Sequence, residues 1–188
     1  STMSPAWWAR SASAAARPTG ACLSAASQQA ATRINDFIWQ SSGTSNSYML
    51  LTSAGRVIVN CGLGFEALTH KRLFDAVCPG PTPWIITTQG HVDHVGGVNR
   101  FRAPETRYLA QRNQPLCQRD DARIAERRQS QSYIWFQEVI DHALRIADAH
   151  PEALIQDTPV PDLTFDEHHA LRVGELDLEL IAVPGGET

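Results

Sequence analysis

Three side chains able to bind a metal, His91, Asp93 and His94, fall within four residues of the stretch IITTQGHVDHVGG, Ile85 to Gly97. Two imidazoles and a carboxylate suit zinc, iron or manganese better than magnesium or calcium, which favour oxygen shells. Gln89 stands two residues before His91, and on an extended backbone residues two apart point the same way. Gln89, His91 and Asp93 are therefore expected on one face, with His94 turning off it as a helix begins. So many polar heads at the end of an apolar strand cannot all serve a core. A loop at the carboxyl end of a strand in an α/β sheet is where ligands usually bind. Gly96 and Gly97 allow the next helix to approach closely. A lone histidine is read by default as a satisfied polar residue, and this covers His70, His142, His150, His168 and His169. The last two fall in an acidic stretch, FDEHHA, that reads as a surface turn.

The elements that must position this loop follow from pattern. RINDFIWQ and SNSYMLLT are β-type runs separated by the turn-rich SSGTS, a hairpin signal. GRVIVNCG is a short strand between glycines, and GFEALTHKRLFDAV places Phe65, Leu68, Leu73 and Val77 at near-helical spacing. WIITT is fully apolar, as the interior strand of a sheet should be. Beyond the glycine pair, VNRF reads as a short helix and RYLAQ as a strand. A long helix is expected from about Gln118 to Ala149, with Phe136, Val139, Ile140, Ala143, Leu144 and Ala147 as its apolar stripe. PEALIQDTPVPDLTF is too rich in proline for regular structure, and HALRV with LDLELIAV forms a hairpin. Alternating strands and helices imply a layered α/β architecture.

The chain has 188 residues, 43% hydrophobic and 19% charged, enough for one domain with a real core. A net charge of −4 argues against nucleic acid or an anionic membrane as partner. No apolar run reaches the roughly 18–20 residues that span a bilayer. Cys22, Cys61, Cys78 and Cys117 are widely spaced, which fits reduced thiols in a cytoplasmic protein. Residues 1–32, rich in Ala and Ser, read as an N-terminal arm whose Trp7 and Trp8 dock on another surface, or as a loose terminus.

TTQGHVDHVGG resembles the signature of the metallo-β-lactamase superfamily, T-H-x-H-x-D-H followed by small residues. The match runs through Thr88, His91, Asp93, His94 and Gly96–Gly97, with Gln89 in the place of the first histidine. Asn60 stands where the family usually has aspartate, and the order of elements agrees. The resemblance spans residues 33–188. It implies an αββα sandwich of which this chain supplies the N-terminal αβ half, plus a helical insertion at about residues 115–150. It also implies that His91 serves a first metal site, with Gln89 as a weak oxygen ligand or bystander. Asp93 and His94 would serve a second. The closing VPGGET resembles the family's next motif, a P-G-H-T-like turn, with Glu187 in its histidine's place. Gln89 and Glu187 make the first site richer in oxygen, so iron or manganese gains on zinc there. One or two zinc ions are expected, one of them conditional.

The activity implied is metal-dependent hydrolysis of an ester-like bond (carboxylic, sulfate or thioester) in a small molecule, with Asp93 holding the proton of the attacking water. The rivals are a non-catalytic binding or assembly module with a degraded metal site, and an iron-dependent member with lyase or redox activity. The family's remaining ligands are expected in a C-terminal half, from the same parent or another chain; a homodimer is a further way to cover an open sheet face. Arg119, Arg123 and Arg127 recur every four residues, and Arg123 and Arg127 are candidates to orient a substrate anion. This loosely resembles the alkyl sulfatases' helical insert, against the plainer reading of a solvated face paired with Asp120, Asp121 and Glu126. Tyr133, Trp135 and Phe136 line an apolar channel or pack in a core.

Overall fold

The computed structural model describes Ala26 and residues 28–183. Glu187, Trp7, Trp8 and nearly all of the arm lie outside the described residues, as do the side chains of Tyr133 and Trp135. The strands are β1 (Thr32–Arg33), β2 (Ile38–Ser41), β3 (Ser47–Thr52), β4 (Gly55–Val59), β5 (Trp84–Ile86), β6 (Arg107–Gln111), β7 (Leu163–Phe165), β8 (His168–Val173) and β9 (Leu176–Ile181). The helices are α1 (Glu66–Val77), α2 (Val92–Val95), α3 (Val98–Phe101) and α4 (Gln114–Ala147), followed by a 3-10 turn at Pro151–Leu154.

Among the described residues, β1 to β7 form one sheet in chain order, and β8 pairs with β9. The first four strands run antiparallel, whereas β4, β5, β6 and β7 are parallel. Parallel neighbours need crossovers, and α1, the α2–α3 pair and α4 supply them. Register aligns Ile58, Ile85 and Tyr108 across β4, β5 and β6, with Val59, Ile86 and Leu109 one step on. Because side chains alternate across a strand, the first row faces one way and the second the other. Ile58, Ile85 and Tyr108 pack with Ala67, Phe74, Val95, Val98 and Phe101 from the helices. On the opposite face Val57, Ile86 and Leu109 meet Val173, Leu171, Leu178 and Leu180 of the β8–β9 hairpin. The architecture is mixed α/β, with helices on one side of the sheet and a hairpin on the other.

Several expectations change. RINDFIWQ is not one strand: Asn35 Oδ1 accepts the backbone N–H groups of Phe37 and Ile38, at 2.9 and 2.7 Å, and turns the chain between β1 and β2. The proline-rich stretch after α4 holds the 3-10 turn and β7, whose prolines precede the segment that pairs with β6. His168 and His169 open β8 instead of forming a turn, and the His169 ring lies 6.1 Å from that of Phe165. The long helix begins four residues earlier than its polar sequence suggests, at Gln114, and is interrupted at Phe136 (φ −120, ψ 27). Beyond that break Val139 and Ala143 pack on Phe65, Ala153 and Leu154. Among the described residues no helix is long and apolar enough to cross a membrane.

His70 and His142 also depart from the default reading, since each has a buried Nε2 without a hydrogen-bond partner. The His70 ring is wholly buried, bonded through Nδ1 to Ser41 Oγ at 2.6 Å. Burial pushes its pKa down to about 4. Gly62, at φ +72, leaves room for this ring: a Cβ there would stand 2.7 Å from it. Beside it, Glu66 accepts the N–H and hydroxyl of Thr44 and the N–H of Ala26. Burial raises the Glu66 carboxyl, against those bonds.

Candidate metal centre

Strand β5 ends at Ile86, so the motif loop leaves the sheet at the carboxyl end of a central parallel strand. Its first residues are pinned. Thr87 Oγ1 bonds Tyr108 Oη at 2.8 Å and Gln114 Oε1 at 2.5 Å. Asn60 sits at φ +61, a left-handed conformation that asparagine tolerates better than most residues. From there its Oδ1 accepts the Thr88 N–H at 2.9 Å, and its Nδ2 donates to Thr88 Oγ1 at 3.1 Å. Asn60 thus anchors the start of the loop.

The loop then turns helical earlier than alternation suggests. His91 is still extended (φ −68, ψ 151), but Asp93 and His94 lie inside α2. The two-residue alternation that would put Gln89, His91 and Asp93 on one face therefore stops at His91, because a helical turn rotates each residue by about 100°. Asp93 Oδ2 and His94 Nε2 approach to 3.4 Å. Their backbone is tied to the sheet: Ser45 Oγ donates to the Asp93 carbonyl at 2.5 Å, and the Cys61 N–H to that of His94 at 2.8 Å. The two glycines matter for close approach. A Cβ on Gly97 would lie 2.3 Å from Ala67 Cβ and 2.6 Å from the Cys61 carbonyl; one on Gly96 would lie 2.4 Å from Gln156 Oε1.

His91 meets α4. Its Nδ1 is hydrogen-bonded to Gln89 Oε1, and its Nε2 lies 4.0 Å from Asp121 Oδ1 on α4. Among the described residues, His91, Cys117 and Asp121 form a group whose donor atoms all lie within 4.8 Å of one another. Gly90 permits this meeting, since a Cβ on it would stand 2.8 Å from the Gln114 carbonyl and 2.9 Å from Cys117 Cβ. Burial pushes the Cys117 thiol up, as does the charge of Asp121, while the Gly90 N–H and Arg128 oppose the rise. Arg128 also pairs with Asp121 at 2.8 Å. Neither Cys117 nor Asp121 was singled out by the sequence reading. Their spacing of four on a helix, which puts both on one face, was the available signal.

The remaining candidates sit away from these donors. Arg123 is exposed and paired with Asp120 at 2.9 Å, and Arg127 is exposed.

The donors present suit a divalent transition ion. Ligands about 2.0–2.1 Å from a tetrahedral ion stand about 3.3 Å apart, close to the spacing of Asp93 Oδ2 and His94 Nε2. Imidazole, carboxylate and thiolate are the groups that zinc takes.

No protein-family model matches the chain, and no curated protein matches it. Solved structures do. A motif mutant of the metallo-β-lactamase from Cronobacter sakazakii aligns at TM-score 0.58 and 21% identity, over 84% of this chain and 56% of its own. The metallo-β-lactamase GOB-18 from Elizabethkingia meningoseptica gives 0.59 and 16%, over 92% and 57%. The class B3 di-zinc metallo-β-lactamase LRA-12 from an Alaskan soil metagenome gives 0.58 and 20%, over 90% and 58%. The chain thus spans somewhat over half the length of the structures it matches.

Proposed function

We propose that this chain, whose fold is that of the metallo-β-lactamases, is the N-terminal part of a metal-dependent hydrolase acting on an ester-like bond of a small molecule. The observation that carries the reading is the Q-x-H-x-D-H loop at the carboxyl end of β5, with the Asp93 and His94 heads 3.4 Å apart. A zinc ion there, or iron or manganese, would polarise the bond under attack and bring water toward ionisation near neutral pH. This chain's own residues do the rest. Asp93 holds the proton of the attacking water at its carboxylate, and His94 Nε2, 3.4 Å from it, is a further donor for the ion. Gln89 orients the His91 ring through Nδ1. Asn60 and the Gly96–Gly97 pair hold the loop against the sheet and α1, so the donors keep their places. Substrate closure and the remaining ligands come from a C-terminal half, in the same parent or another chain; a second copy of this chain is the alternative cover. Among the described residues Cys61, Cys78 and Cys117 form no disulfide.

Full-length protein assayed for metal and against chromogenic carboxylic, thio- and sulfate esters tests this. At least one equivalent of transition metal and chelator-sensitive hydrolysis are expected, with Asp93→Ala abolishing turnover and lowering metal content. An Asp93→Ala protein that keeps both places the chemistry elsewhere. A second reading, a binding module that does no hydrolysis, is favoured by one observation: His91 lies in a donor group with Cys117 and Asp121 of α4, outside the motif. Metal without turnover on any ester class would support it.

A further inference from the structure

Cys117 and Asp121 belong to no part of the motif, yet α4 brings both to His91. His91 Nδ1 is hydrogen-bonded to Gln89 Oε1, and its Nε2 lies 4.0 Å from Asp121 Oδ1. An imidazole nitrogen and a carboxylate oxygen are both ligands that zinc takes. The Cys117 sulfur completes the group, held by the Gly90 N–H and within 4.8 Å of both other donors. A tetrahedral ion with bonds of about 2.0 Å to nitrogen and oxygen and about 2.3 Å to sulfur draws such donors to about 3.3–3.6 Å. Arg128 pairs with the same Asp121 oxygen at 2.8 Å.

We propose that His91 Nε2, Cys117 Sγ and Asp121 Oδ1 form a metal site of their own, which takes one borderline-soft divalent ion such as zinc and ties the motif loop to α4. On binding, the Cys117 S–H proton leaves to solvent and a sulfur–metal bond takes its place. Three protein ligands leave a fourth position open to water or a further donor. The proposal shares His91 with the hydrolase reading but does not rest on any turnover.

Cobalt(II) titration of the full chain under metal-free, phosphine-reduced conditions is the test. A thiolate-to-cobalt charge-transfer band in the near ultraviolet is expected, saturating at about one equivalent. Cys117→Ser should abolish it and weaken cobalt affinity by more than about tenfold, and Asp121→Asn should keep the band while weakening affinity by about 10–100-fold. Cys22→Ser, Cys61→Ser and Cys78→Ser should leave it unchanged. Should Cys117→Ser fold poorly, zinc protection of Cys117 from alkylation in the wild-type chain gives the same answer by peptide mass. No band in wild type, a band that survives Cys117→Ser, or equal alkylation with and without zinc would overturn the proposal. Cobalt bound without a band, and lost in Asp93→Ala, would remove this site yet leave the hydrolase reading standing.

Discussion

The Asp93–His94 pair and the His91–Cys117–Asp121 group meet on either side of a single residue, Val92, yet they are supported differently. Asp93 and His94 sit on a helical turn whose carbonyls are bonded to Ser45 and Cys61, next to strands of the central sheet. His91 instead bridges a loop to a helix that starts at Gln114 and whose far half, not its near half, joins the apolar core. The first arrangement is fixed by the most buried part of the fold; the second depends on how α4 seats on Gly90. A motif can therefore read as one unit in sequence and divide its donors between a rigid support and an adjustable one.

That contrast can be broken from the rigid side first. Gly97→Val forces a side chain into Ala67 and the Cys61 carbonyl, neither of which can swing away. A loss of more than about 3 kcal/mol is expected in urea unfolding; a stable variant would mean α1 is free to retreat from the loop. His70, on α1 itself, gives the next largest effect. Its pKa is about 4 folded against about 6.5 unfolded. Between those values the unfolded chain binds more protons, so stability falls as pH drops from about 6.5 toward 4, by about 3 kcal/mol in all. His70→Gln, which cannot titrate, should flatten that part of the stability curve; an unchanged acid slope would assign it to other groups.

The adjustable side should respond more mildly. Gly90→Ala meets the Gln114 carbonyl and Cys117 Cβ, so a cost of about 1–3 kcal/mol is expected, together with a fall in the cobalt charge-transfer band. Full retention of the band would show that α4 shifts without losing the site. Smallest are Arg123→Ala and Arg127→Ala, which should each change stability by under about 0.5 kcal/mol because exposed ion pairs contribute little. A large rise in KM for a sulfate or carboxylate substrate in either variant would restore the anion-orienting role.

The sheet was legible because its strands are apolar runs set off by glycine, proline and polar turns: VIV, WII and RYLAQ all sit where the pattern put them. The α1 stripe likewise follows helical period. What the pattern missed is where tertiary contact overrides local signal. Asp93 turns helical because Gly96 and Gly97 let α2 and α3 close on α1, and no count of alternating residues shows that. β7 forms inside a proline-rich stretch because β6 offers an open edge. The candidate site was half legible. His91, Asp93 and His94 stand together in the chain, whereas Cys117 and Asp121 are brought in by a crossover helix, and only their spacing of four hinted at a shared face. Glu187 lies outside the described residues, and its role rests on the resemblance alone.

The measurement closest to the central claim, that this loop holds a transition metal, is elemental analysis of full-length protein purified without chelator. At least one equivalent of zinc, iron or manganese per chain is expected, falling below one tenth in the double variant His91→Ala/Asp93→Ala by roughly the loss that removing ligands entails. Less than one equivalent in the wild type, or the same content in the double variant, would contradict it.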